Sequence, residues 1–84
     1  MIVIVEIYSK GCPSCHYSEL LQKKLGIYDK IKHVLQGSDE HVKIGYETKE
    51  VPTFLIYLNN SIIKIYEKNV SRPQIEEIKK KYIH

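Results

Sequence analysis

The sequence lacks the features that would place it at a membrane or on a nucleic acid. No apolar run approaches the roughly 20 residues of a membrane-spanning helix, because the run 1–5 already ends at Glu6. This run also lacks the basic start and small-residue cleavage site of a signal peptide, so we expect a cytoplasmic protein. The net charge is only +3, and the lysines are spread along the chain, which does not indicate a nucleic-acid-binding face. We therefore expect neither a membrane nor a nucleic acid as a partner.

The chain is also short and poor in cysteine. Its 84 residues allow a single domain, 1–84, and leave no room for a second core. The apolar and charged shares are ordinary for a folded globular protein, and we expect a monomer. Only two cysteines are present, Cys12 and Cys15, and isolated structural disulfides are uncommon in the cytosol. These two residues are therefore the first candidates for chemistry.

The first half of the sequence predicts alternating strands and helices. The β-branched run 2–8 is typical of a central strand that is covered on both faces. A helix follows, and Gly26 is suited to end it. A short strand is expected over 30–36, and a short helix from an N-cap at Ser38 to about Tyr46. The apolar residues at helical spacing in the first helix are Tyr17, Leu20, Leu21 and Leu25.

The second half predicts a β-hairpin and a last helix. Apolar runs over 53–58 and 62–66 flank the residues 59–61 (Asn-Asn-Ser), which favour a tight turn. Ser71 and Gln74 have the residue types of a capping box, and Pro73 fits the first turn. The buried stripe of this helix is expected to consist of Ile75, Ile78 and Tyr82. The predicted fold class is α/β, with the order β-α-β-α-β-β-α, a right-handed first crossover, and a four-stranded mixed sheet flanked by helices.

The motif Cys12-Pro13-Ser14-Cys15 stands where the first strand ends and the first helix begins. The unpaired N–H groups and the dipole of a helix N-terminus stabilise a thiolate and lower its pKa. The spacing also lets the second sulfur close back on the first within one helical turn. We therefore predict that Cys12 is the attacking thiol and Cys15 the resolving thiol. Lys10 either adds favourable charge near the thiolate or is simply solvated.

The segment Val51-Pro52-Thr53 precedes the hairpin directly. A proline that enters a central strand cannot donate to the hydrogen-bond ladder, so its position indicates a turn, and X-Pro bonds in such turns can be cis. The turn would present the backbone of Val51 beside the cysteine pair.

These two motifs, in this order and at this chain length, resemble those of the thioredoxin and glutaredoxin family over nearly the whole chain. The resemblance implies a thioredoxin-like fold and a thiol–disulfide oxidoreductase that reduces protein or glutathione mixed disulfides. It also implies that Pro52 is cis and packs against the active-site disulfide, and that Val51 pairs its backbone with the substrate. No cofactor is expected beyond the Cys12–Cys15 disulfide. The implied partners are disulfide-bearing proteins, with glutathione or a thioredoxin reductase as the reductant.

The subtype within this family stays open. Ser14 stands where glutaredoxins usually carry an aromatic residue, residues 67–71 contain no glycine, and Lys10 lies two rather than three residues before the first cysteine. The chain also differs from thioredoxins, since Gly11 replaces their tryptophan before the motif and Leu20 replaces their helix-kinking proline. Neither subtype matches throughout.

Glu6 lies six residues before Cys12, where thioredoxins keep a buried aspartate that assists proton transfer to the resolving cysteine. A buried glutamate there would have a raised pKa and could act as a general base. The alternative is an ordinary carboxylate at a strand end that faces solvent.

Parts of the sequence also fit three other functions, namely haem attachment, redox sensing or protein binding without turnover, and zinc binding. The stretch 12–16 also matches the C-x-x-C-H pattern of haem attachment, but that needs an export signal and an axial ligand, and the only methionine is the first residue. A redox sensor or protein-binding module that uses the fold without turnover stays open. A zinc site would combine both cysteines with two histidines that show no paired spacing, so we expect no metal. Those histidines are His16, His33, His41 and His84.

Overall fold

Strands and helices alternate along the chain in the computed structural model, which describes residues 1–67 and 71–84. The strands are β1 (Ile2–Tyr8), β2 (Ile31–Leu35), β3 (Thr53–Leu58) and β4 (Ser61–Glu67). The helices are α1 (Pro13–Lys24), α2 (Asp39–Ile44) and α3 (Arg72–Tyr82), and a 3₁₀ turn (Tyr28–Lys30) precedes β2. Within the described part of the chain, the predicted order β-α-β-α-β-β-α is confirmed.

The four strands form one mixed sheet in the order β2-β1-β3-β4. β1 runs parallel to β2 and antiparallel to β3, and β3 and β4 form an antiparallel hairpin. In the register of the two central pairings, Glu6 lies opposite His33 on one side and Phe54 on the other. A central β1 with neighbours on both sides is the arrangement that its continuous β-branched run predicts.

The core has a layer on each face of the sheet, because successive side chains of a strand point to opposite faces. On one face, Ile4 and Phe54 pack with Ile75 of α3. On the other face, Val5 and Leu55 form a smaller cluster, against which Ile44 of α2 packs. Helices therefore flank the sheet on both sides, and the predicted fold class is confirmed.

Local sequence signals set several element ends. At the end of α1, Gly26 has a φ of +73°, and its N–H donates to the Lys23 carbonyl while Ile27 N–H donates to the Gln22 carbonyl. This pair of hydrogen bonds is a Schellman motif, as glycine at this position predicts. At the start of α3, Ser71 N–H donates to Gln74 Oε1 at 3.0 Å, so the predicted capping box forms.

Two predicted boundaries are shifted. The hairpin turn is two residues long, with φ of +51° at Asn59 and +70° at Asn60, so Ser61 belongs to β4 rather than to the turn. Positive φ at both positions is the geometry of a type I′ turn, whose twist matches that of the strands. Helix α2 begins after Ser38, as predicted, but ends at Ile44 because Gly45 is left-handed, with a φ of +76°.

Two of the four apolar residues at helical spacing in the first helix do not face the core. Tyr17 and Leu20 are about half exposed, at 49% and 51%. The helix instead buries two polar residues, Ser18 and Gln22, together with Cys15 and Leu21. The side chain of Glu6 on β1 lies under this face and takes hydrogen bonds from both polar residues. Helix α1 is therefore rotated so that its donors, rather than all of its apolar residues, face the sheet.

No helix within 1–67 or 71–84 is long and apolar enough to cross a membrane. The stretch 67–71, in which glycines are missing by comparison with glutaredoxins, includes residues 68–70, which lie outside the described residues.

Candidate active site

Cys12 and Cys15 lie at the junction between β1 and α1, where the sequence places them. Gly11, with a φ of +71°, turns the chain after the strand, and Cys12 is the N-cap of α1 in an extended conformation. Pro13 occupies the first turn. A backbone N–H at this position has no acceptor within the helix, so proline loses no hydrogen bond there. The two Cα atoms are 5.2 Å apart, and the sulfurs form a disulfide.

The two sulfurs differ in access and in electrostatic surroundings. Cys15 is buried, at 7% exposure, whereas Cys12 is half-buried at the helix end. The backbone N–H of Cys15 donates to Cys12 Sγ at 3.1 Å, and a donor so placed also stabilises negative charge on that sulfur. The more accessible cysteine is thus the one whose sulfur accepts from an N–H of the first helical turn. This geometry favours Cys12 as the thiolate of the reduced form.

The segment before β3 reaches back to the cysteine pair. The Val51–Pro52 peptide bond is cis, and the Val51 carbonyl oxygen lies 3.9 Å from Cys12 Sγ. Pro52 is buried, and the hydroxyl of the buried Thr53 donates to the Glu50 carbonyl at 2.6 Å, which holds the turn. The backbone of Val51 therefore lies beside the accessible sulfur, in the position that the sequence predicts.

A buried carboxyl lies behind the resolving cysteine. Glu6 is 2% exposed and accepts hydrogen bonds from Ser18 Oγ at 2.7 Å and from Gln22 Nε2 at 2.9 Å. Burial raises the pKa of Glu6, and the hydrogen bonds from Gln22 and Ser18 oppose that rise. Of the two sequence interpretations, the solvent-facing carboxylate is therefore wrong.

A small cavity connects this carboxyl with the disulfide. Its volume is about 70 Å³, and both Glu6 and Cys15 line it. This is more than the roughly 10–15 Å³ that one water needs, so a water can lie in the cavity beside Glu6 and Cys15. The remaining lining residues are Tyr8, Glu19, Tyr28 and His33.

No protein-family model matches the sequence, and no curated protein sequence matches it. Solved structures do match. The thioredoxin Deadhead of Drosophila melanogaster superposes with a TM-score of 0.74 at 16% identity, over 96% of this chain and 80% of that one. The oxidised thioredoxin of Plasmodium falciparum gives 0.72 at 20% identity, over 99% and 82%. Thioredoxin f2 of Chlamydomonas reinhardtii gives 0.70 at 20% identity, over 99% and 81%.

The chain has the thioredoxin fold. At these identities, the structural similarity establishes the fold, and the activity is inferred from the residues of the site. In this chain, the cysteine pair and the cis-proline turn lie at the N-terminus of α1, and the buried carboxyl lies under the same helix, in a cavity that Cys15 also lines. The predicted site residues are thus brought together except for Lys10, which is exposed and for which the structure gives no contact with the sulfurs.

Ser18, Gln22 and His33 are the parts of the site that sequence reasoning missed. Ser18 and Gln22 stand four residues apart on α1, a spacing that puts two donors on one helix face. That spacing, beside a glutamate in a fully covered strand, is the signal that could have identified them. His33 has its Nε2 2.8 Å from Gln22 Oε1 and 3.5 Å from Glu6 Oε1.

The zinc interpretation gains no support from the part of the chain that the structure describes. Over 1–67 and 71–84, no three histidine, cysteine or carboxylate side chains form a group that could hold a metal ion. His41 is engaged elsewhere, since its ring nitrogens contact the Gly37 N–H and the Tyr46 carbonyl.

Proposed function

We propose that this protein is a thiol–disulfide oxidoreductase that reduces disulfides through the Cys12–Cys15 pair. The observation that carries the proposal is a disulfide at a helix N-terminus, with its accessible sulfur beside the Val51 carbonyl, in a thioredoxin fold. A structural disulfide needs neither an accessible sulfur nor an adjacent backbone that is free to pair with a substrate.

The first step is attack by the Cys12 thiolate on a disulfide of the substrate. The new bond joins Cys12 Sγ to one substrate sulfur, and the other substrate sulfur leaves as a thiolate and takes up a proton from solvent. The N–H of Cys15, which lies 3.1 Å from Cys12 Sγ, supports the negative charge before attack. The turn at Pro52 supplies the backbone of Val51 to pair with the substrate chain, and Thr53 holds that turn.

The second step resolves the mixed disulfide. Cys15 passes its proton to the Glu6 carboxylate, directly or through a water in the shared cavity, and attacks Cys12 Sγ. The bond between Cys12 and the substrate breaks, the substrate sulfur leaves as a thiolate, and the Cys12–Cys15 disulfide forms. Two electrons pass from the dithiol to the substrate, and Glu6 later returns its proton to solvent.

The finer assignments are also proposals. Disulfide-bearing proteins are the substrates, Lys10 adds positive charge near the Cys12 thiolate, and the protein works in the cytoplasm, where thiols are kept reduced. Glutathione or a thioredoxin reductase restores the dithiol. The absence of glycine from 67–71 argues against a glutathione site of the glutaredoxin type, and for this reason we favour the reductase.

The division of roles is tested with two single variants and a protein disulfide as substrate. Cys15→Ser should trap a mixed disulfide on Cys12, visible on a non-reducing gel and by mass, because the resolving thiol is missing. Cys12→Ser should trap none, since Cys15 is buried at 7% exposure. Trapping by the Cys12 variant instead would reverse the assignment.

The reductant is identified by oxidising the protein and following reappearance of its thiols with glutathione or with a thioredoxin reductase and NADPH. Recovery mainly with the reductase supports a short thioredoxin, and recovery mainly with glutathione supports a glutaredoxin. If neither reductant works and no substrate is trapped, the oxidoreductase proposal fails and the sensor interpretation takes its place.

A further inference from the structure

His33 of β2 is joined to the buried carboxyl by a hydrogen-bond network with a defined direction. Gln22 Nε2 donates both to Glu6 Oε1 and to Ser18 Oγ, each at 2.9 Å. The other end of the same amide, Oε1, can only accept, so His33 Nε2 carries a hydrogen and donates it at 2.8 Å. Because Nε2 keeps this hydrogen, the ring gains or loses its titrating proton at Nδ1.

The imidazole is also close enough to the carboxyl for a direct charge interaction. His33 Nε2 lies 3.5 Å from Glu6 Oε1, and the two residues are register partners on β2 and β1. The side chain of His33 is 19% exposed, whereas that of Glu6 is 3% exposed. His33 is therefore the member of the pair that reaches solvent, and both line the cavity that reaches Cys15.

The surroundings of the His33 ring shift its pKa in opposite directions. Tyr28 of the 3₁₀ turn stacks on the imidazole with ring centroids 4.3 Å apart. Burial lowers the pKa of His33, the carboxylates of Glu19 and Asp29 oppose this, and Lys23 adds to it. The pKa of Glu6 is raised by its own burial. Burial thus disfavours the charged form of each group, and the 3.5 Å between them is short enough for the charge of one to affect the titration of the other.

We propose that His33 is a positioning residue that sets the charge of Glu6, and through it the pH range in which Cys15 can give up its proton. With a proton on Nδ1, the imidazolium favours the Glu6 carboxylate, which is the form that accepts the proton of Cys15. The base then stays available at lower pH than an isolated buried carboxyl would allow. This inference rests on the proposed function for its effect on rate, but the coupling itself is a property of the oxidised protein.

The coupling is measured by following the ¹³C signal of the Glu6 carboxyl against pH in the oxidised protein, with the signal assigned by its loss in Glu6→Gln. His33→Gln keeps a donor toward Gln22 but carries no charge, and His33→Lys keeps a charge at all working pH values. An opposite charge within about 4–6 Å lowers a carboxyl pKa by roughly 1–3 units. We expect the Glu6 midpoint to lie about one pH unit or more higher in the Gln variant than in the Lys variant.

Lys32→Gln is the matched control, because it removes a positive charge from the residue that directly precedes His33 on β2. Lys32 is exposed and pairs with Glu40 of α2, on the opposite face of the sheet. The control should leave the Glu6 midpoint unchanged. If His33→Gln and His33→Lys give the same midpoint, the coupling is refuted, because a purely structural effect moves both in the same direction.

The unmodified chain provides a second reading that does not depend on the folding of a variant. Coupled groups each show an inflection at the midpoint of the partner, so the ¹⁵N titration of the His33 ring and the ¹³C titration of Glu6 should share two inflections. Single, independent curves would overturn the proposal.

Single-turnover reduction of a disulfide peptide, measured from pH 5 to 9, separates this inference from the proposed function. The acid limb of the rate should move to higher pH in His33→Gln by the same interval as the Glu6 midpoint. If the protein reduces no disulfide but the midpoints separate, the function fails and the coupling stands. If reduction is normal and the midpoints coincide, the coupling alone fails.

Discussion

Replacing Glu6 by Gln is expected to make the oxidised protein more stable at neutral and alkaline pH, although it removes the proposed base. The carboxyl is 2% exposed, and burial raises its pKa. A raised pKa in the folded state means that the folded protein binds this proton more tightly than the unfolded chain does. The associated stability is therefore fully present below the unfolded pKa and is lost as the pH rises through the folded pKa.

The magnitude follows from this linkage. Between the unfolded and the folded pKa of Glu6, the free energy of unfolding falls by about 1.4 kcal/mol for each pH unit. Glutamine does not titrate, so the variant lacks this fall. The difference between the two chains should therefore be small at pH 4, grow through the interval, and stay constant above the folded pKa.

The substitution leaves the surrounding polar atoms with partners. The glutamine oxygen can accept from Ser18, and its amide can donate to Gln22 if the Gln22 side chain is turned over. Gln22 then donates to His33 Nε2, which accepts in the other neutral tautomer. Without this rearrangement, a buried donor would lose its acceptor at a cost of about 1–3 kcal/mol at every pH.

The assay is urea unfolding of the oxidised proteins from pH 4 to 8.5, followed by circular dichroism. Glu76→Gln is the control, because Glu76 is an exposed carboxylate on α3 that pairs with Arg72, four residues before it. The control should differ from the wild type by a small, nearly constant amount. A difference for Glu6→Gln that is independent of pH would refute the reasoning, since a buried titrating carboxyl must produce a slope.

Two further predictions concern packing and the loop beside the site. Phe54→Ala should lower the free energy of unfolding by about 3–5 kcal/mol in the same urea assay, because Phe54 is fully buried in the core between the sheet, α1 and α3; a loss below 1 kcal/mol would contradict this. His41→Ala should speed amide hydrogen exchange at Gly37, because His41 Nδ1 accepts from that N–H at 2.9 Å; unchanged exchange would show that this bond does not order the loop.

Much of the fold follows from signals that act within a few residues. The turn at Asn59 and Asn60 and the glycine at position 26 each satisfy a local backbone requirement, so the sequence alone predicts them. The ends of strands are harder to predict, because local signals do not determine them. The sequence pattern does not show whether Ser61 begins a strand or completes a turn. That choice depends on pairing with Leu58 across the hairpin.

The residues of the site also differ in how well the sequence alone predicts them. Cys12, Cys15 and Pro52 are predictable because their residue types and spacing have few other uses in this context. Ser18, Gln22 and His33 belong to residue types that are common on protein surfaces, and the four-residue spacing of Ser18 and Gln22 becomes informative only beside the covered glutamate of β1. Their role depends on the partner that another element brings to them, which is a tertiary fact.

Glu6 connects these two cases. Ile4, Val5 and Ile7 are buried on the two faces of β1, so the strand has no solvent face at that point on which a carboxyl could lie. A carboxylate there needs donors, and α1 is the element that covers its face of the sheet. Helix α1 supplies them from positions one turn apart, and Tyr17 and Leu20 are exposed as a result. The helix that turns two of its apolar residues to solvent is therefore the helix that also carries the cysteines, because its orientation is set by the buried carboxyl behind them.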